Sequence, residues 1–196
     1  MATTAGVLPA STIAGSTPKN GRVAAVGLVS TVGVSGRELN LYQVSHGLER
    51  SNRTQEERQA TLDLQKKIQD AVVSGKGWET ISVSPAVRRQ ADTPYFQSFL
   101  TLDPARTMKD LDQPILVVHG ELDTQVPPSN ADALQAQAKA RKKGTVDLVK
   151  VAGVNHLLVP ARTGERDEYG SLPNRTVSPA VTTALVGWLQ KTLPGR

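Results

Sequence analysis

Two residues of this chain could move a proton together: Asp123 and, 33 positions later, His156. A carboxylate beside an imidazole fixes its tautomer and stabilises the imidazolium that forms when the ring accepts a proton. An ordinary imidazole pKa of about 6.5 lets the ring take and return that proton near neutrality. The sequence around the two residues lets them meet. Pro114 introduces the apolar run Ile115–Val118, followed by His119-Gly120 and a polar loop holding Asp123. A helical pattern from Ser129 to Lys143 leads into a second apolar run, Leu148–Val151, and then to a short loop with His156. This reads as strand, loop, helix, strand, loop. Helical crossovers join parallel strands almost always with one hand, so both loops emerge at the same carboxyl edge. Open α/β sheets build their sites at that edge.

Other residues compete for these roles. Glu121 is the alternative acid, closer to its strand. Asp123 taken alone could simply cap the turn after the strand. His119 ends its strand beside Gly120 and reads as structural, and His46 has no partner in the sequence. Three histidines without HExxH or HxH spacing, in a chain with no cysteine, predict no metal site and no cofactor.

The elements that must hold the pair follow from the apolar periodicities. Val23–Ser30 is a near-continuous apolar run, as in a strand buried on both faces of a parallel sheet. Met1–Lys19 is small, hydroxyl-rich and weakly helical. From Tyr42 to Leu111 the pattern is helical. Thr54 with Glu57 forms a capping box, and Ala60, Leu64, Ile68, Ala71 and Val72 share a stripe that Gly75 and Gly77 end. Ser84-Pro85, Thr93-Pro94 and Asp103-Pro104 each pair a capping residue with proline at the first helical position. Ser129 is the expected N-cap of a helix over Ala131–Lys143 that Gly144 terminates. Ala161–Arg175 reads as a polar loop. Ser178-Pro179 then opens a last helix whose buried stripe is Val181, Leu185, Trp188 and Leu189.

The stretch from Pro114 to Pro160 resembles the acid and histidine half of an α/β-hydrolase, in which the triad runs Ser, Asp or Glu, His along the chain. ELDTQVP around Asp123 and NHLL around His156 carry the match. It extends back through RVAAVGLVST and TPYFQSFLTLDPA, and forward through ARTGERDEYG to VGWLQKTL. The resemblance covers most of the chain and is to the esterase and peptidase-like members. It implies a partial α/β-hydrolase fold: a short parallel sheet of three strands flanked by helices, with residues 1–41 and 112–196 as core and 42–111 as a helical cap. It implies Asp123 as triad acid and His156 as general base. Trp78, Tyr95, Phe96 and Phe99 would either line an acyl pocket or form the cap's own core. One part of the pattern is missing, since no G-x-S-x-G occurs in the chain. Thr4, followed by Ala5-Gly6, imitates the tail of that elbow, and Ser11 and Ser16 are the other nucleophile candidates.

Two functions from different classes follow. The first is a serine-type hydrolase of small-molecule carboxylic esters. The second is a truncated, inactive remnant that works by self-association. Composition narrows the partners. The net charge of +5 comes from 23 basic residues scattered among 18 acids, with one cluster, Lys139–Lys143, where a helix should end. Cations there complement the helix dipole, so no nucleic-acid partner is expected. No run reaches the ~18 apolar residues of a membrane span, and the amino-terminal segment lacks the basic start of a signal peptide. A cytoplasmic location is expected. So is a homo-oligomer, because Val23–Ser30 reads as an edge strand unblunted by proline or lysine.

Overall fold

The computed structural model describes residues 23–193, so the expected helix within Met1–Lys19 lies outside the described residues. The chain divides into two compact units, one formed by the chain up to Val34 with Pro104 onward, the other by Ser35–Asp103.

The first unit is built on a three-stranded parallel sheet in the order β1 (Val26–Val29), β2 (Ile115–Gly120), β3 (Val146–Val151). Val26 pairs with Ile115 and Val29 with Val118, while Ile115 pairs with Val146 and Gly120 with Val151. All six residues of β2 are buried. Alternation explains why its first four residues are all apolar: Ile115 and Val117 face one core, Leu116 and Val118 the other. On one side Val26, Leu28, Ile115 and Val117 pack with Met108, Leu111 and the buried stripe Ala131, Leu134 and Ala138. On the other, Leu116, Val118, Val151 and Val154 meet Val181 and Trp188. The helices covering these faces are α5 (Pro104–Lys109), α6 (Ser129–Lys139) and α7 (Pro179–Thr192). Truncating a fully buried residue such as Leu134 to alanine costs about 2–5 kcal/mol.

Several boundaries differ from those the sequence predicts. Strand β1 is confined to four residues of Val23–Ser30. In α6, Pro128 holds the N-cap position with no side-chain cap, and Ser129 is the first helical residue. The same helix stops at Lys139, short of Lys143. Arg141 just beyond donates to the carbonyls of Ala138, Leu111, Gln113 and Thr145, satisfying backbone acceptors at the amino edge of the sheet. In α7 Leu189 is exposed, while Trp188 donates from Nε1 to Asp147 on β3 at 2.9 Å.

The second unit is helical: α1 (Gly36–Glu49), α2 (Gln55–Ser74), a 3₁₀ turn (Trp78–Thr80), α3 (Pro85–Ala91) and α4 (Pro94–Leu100). Thr54 and Glu57 make the expected capping box, and Gly75 ends α2 at φ 69°. Ser84 and Thr93 cap the two helices that follow. Helix α1 begins ahead of the expected Tyr42 because Ser35 and Glu38 form a further capping box. Trp78, Ile68, Ala71, Val72, Ile81 and Leu100 form the core of this unit, with Phe96 and Phe99 packed against it. Three of the four aromatics considered for an acyl pocket therefore serve this core, and Tyr95 is exposed. Ala60 is exposed too, at the first turns of α2 beyond the reach of this core. The helical unit spans Ser35–Asp103 where the sequence drew 42–111, since Met108 and Leu111 pack on the sheet.

Candidate active site

Asp123 lies in the loop after β2 and His156 in the loop after β3. His156 Nδ1 stands 2.8 Å from Asp123 Oδ2. An ionised carboxylate only accepts, so Nδ1 carries the proton and Nε2 is left as the basic nitrogen. The Asp123 side chain is wholly buried, whereas that of His156 is 18% exposed. One partner is shielded from water and the other can be reached.

The loop after β2 is shaped around the carboxylate. Gly120 accepts from the Asp123 N–H and turns the chain, and the Gln125 and Val126 N–H groups then donate to Oδ1 at 3.0 and 2.8 Å. Burial pushes the Asp123 carboxyl up. Hydrogen bonds from His119 and His156, the charge of His156 and the Val126 N–H outweigh that and hold it below the ordinary value. His119, wholly buried at the end of β2, places Nε2 3.3 Å from Asp123 Oδ2. Glu121 is exposed, and its backbone rather than its side chain is tied down, to Val151. His46 lies on α1 stacked on Tyr42.

The loop after β3 is equally defined. Asn155 is buried and its Oδ1 accepts from the Leu157 and Val159 N–H groups at 3.0 and 3.3 Å. Leu158 takes the left-handed conformation, φ 62°, and donates back to the Asn155 carbonyl. Gly120 makes this crossing possible. A Cβ there would collide with the Val154 and Asn155 carbonyls, so the His156 loop passes directly over the end of β2. A third segment backs the acid loop. Thr124 Oγ1 donates to the Gly164 carbonyl at 3.1 Å, and Gln125 Nε2 donates to Tyr169 Oη at 2.7 Å. Burial raises the Tyr169 hydroxyl, and the Gln125 bond partly offsets this. Glu168 accepts from the Arg162, Thr163 and Gly164 N–H groups, which brings its carboxyl down to about 2. Among the described residues no group of three or more His, Asp or Glu could hold a metal ion. Nor is any described helix long and apolar enough to cross a membrane.

The sequence identifies Asp123 and His156, which the structure brings together. It misses His119, Asn155 and the Gln125–Tyr169 contact. Asn155 carried one signal, an Asx residue just before the candidate base. Thr4, Ser11 and Ser16 lie outside the described residues.

The family model described as the prolyl oligopeptidase family matches residues 76–174, just over half of the 196-residue chain, and that span includes β2, Asp123, β3 and His156. The chain belongs to the prolyl oligopeptidase family. It is thereby a member of the α/β-hydrolase superfamily, and the mixed α/β architecture with three parallel strands is that fold in part. A search of curated proteins finds no match. Among solved structures, one similar chain is from Mycobacterium tuberculosis and is described as a non-heme bromoperoxidase, BpoC. It shares 17% identity at a TM-score of 0.38, with 87% of this prolyl oligopeptidase family member covered. This chain spans 59% of that structure's length.

Proposed function

We propose that Asp123 and His156 form the acid–base half of a hydrolytic site acting on small-molecule carboxylic esters. The 2.8 Å bond between His156 Nδ1 and Asp123 Oδ2 carries the reading. In it, His156 Nε2 takes a proton from an attacking hydroxyl and returns it to the departing alkoxide. Asp123 stays ionised, holds the ring and stabilises the imidazolium. The Ser35–Asp103 unit acts as a cap that selects substrate. Cleavage occurs in the cytoplasm, which cell fractionation checks. Hydrolysis of p-nitrophenyl esters with fluorophosphonate labelling is the test. We expect His156→Ala to abolish turnover and labelling and Asp123→Asn to lower turnover about 10⁴-fold. Mass spectrometry of the labelled peptide would identify the nucleophile. Activity that survives His156→Ala ends the reading.

A second reading is a non-catalytic protein acting by self-association. The observation favouring it is that, among the described residues, β1 is paired on one side only, with β2. A well-folded protein that neither labels nor turns over ester, yet associates, would establish it.

A further inference from the structure

The sequence dismisses His119 as structural, yet the structure gives its ring a defined job beside the acid. Nε2 lies 2.7 Å from the Val126 carbonyl oxygen and 3.3 Å from Asp123 Oδ2. Both neighbours only accept, so Nε2 carries the hydrogen and shares it between them. Nδ1 has no hydrogen-bond partner among the described residues, which agrees with that tautomer. The same residue closes the circuit from its other side, because the Val126 N–H donates to Asp123 Oδ1 at 2.8 Å. The carboxylate is thus gripped at both oxygens. Gln125 and Val126 hold Oδ1, and His119 occupies one side of Oδ2, leaving the other side for His156 Nδ1.

We propose that His119 is a positioning residue: its Nε2–H ties the Asp123 carboxylate to the Val126 carbonyl, so that Oδ2 is presented to His156. The proposal rests on the Asp123–His156 pairing above and adds the group that aims it. A ring that merely fills the core would be replaceable by phenylalanine. A ring that aims the carboxylate would not, while glutamine, whose amide N–H can reach the same acceptors, would substitute.

The test is proton and ¹⁵N NMR of the His156 Nδ1–H in the whole chain, with folding followed by circular dichroism. Wild type should show this proton far downfield and slow to exchange. His119→Phe should make its exchange about tenfold faster, the loss of one hydrogen bond, and His119→Gln should restore it. A His119→Phe spectrum like wild type overturns the proposal and leaves the pairing standing, provided Asp123→Asn removes the signal. Loss in both His119 variants also overturns it, since ring shape would then be what matters. If wild type resembles Asp123→Asn, the pairing itself fails, and the proposal with it. Should His119→Phe not fold, the wild-type His119 tautomer decides. Hydrogen on Nε2 supports the proposal, and hydrogen on Nδ1 overturns it.

Discussion

A carboxylate buried as deeply as Asp123 stays ionised only if donors replace the water it has lost. Here two backbone N–H groups and two imidazoles do so. The stability that follows has a defined sign. A carboxyl held below its ordinary value contributes stability that is fully present above the unfolded pKa, near 3.9, and lost as pH falls through the lower folded one. We therefore expect Asp123→Asn to flatten the decline in stability below about pH 4, measured by urea unfolding across pH 3–7. Wild-type and variant curves of equal slope would refute this. Glu121→Gln should leave both stability and turnover within error, as expected for an exposed side chain. Asp123 and His156 were legible because their positions after consecutive parallel strands fix the edge on which they emerge. His119 was not, because a strand-end histidine beside a glycine reads the same whether its ring packs or hydrogen-bonds.

Elements announced themselves where a local signal suffices. The Thr54–Glu57 box and the Ser84 and Thr93 caps all form. The start of α1 was hidden because Gly33 and Gly36 read as a loop. In the structure Gly36 is instead a first helical residue pressed against the Phe99 carbonyl. Contacts between distant segments were the least legible, and they shape the site. Gly120 and Gly164 have no room for a Cβ, the first beneath the His156 loop and the second against the Leu122 carbonyl. Each glycine-to-alanine change should cost about 1–3 kcal/mol by overpacking. Gly120→Ala should also broaden or abolish the His156 Nδ1–H signal, and an unaltered spectrum would contradict that close crossing. Glu168 is a gentler probe. Its carboxyl, lowered to about 2, orders the 162–164 backbone above its ordinary pKa near 4.5 and releases it as pH falls toward 2. Amide exchange of Thr163 and Gly164 should therefore rise in Glu168→Gln at neutral pH, and unchanged exchange would count against this anchoring.

At the scale of the whole molecule, the open question is what meets the outer side of β1. Val26 and Leu28 point into the core of the sheet unit, and the hydrogen bonds of the strand within the described residues go to β2. A parallel strand with apolar residues and no proline or lysine is an effective template for another chain. Closure around a two-fold axis is the cheapest solution, since one strand type then satisfies both partners. Two β1 strands meeting there would run antiparallel and join two three-stranded sheets into one. We propose on this ground that the protein self-associates. Sedimentation velocity at micromolar concentration should show a species heavier than the 20.9 kDa chain, and dilution should expose the Gly27 and Val29 amides to exchange. Lysine at Gly27, an exposed edge position with only Leu185 nearby among the described residues, should shift the equilibrium to monomer while leaving the His156 Nδ1–H signal intact. A concentration-independent monomer whose β1 amides are already protected would sink the idea, because the edge would then be covered from within the same chain.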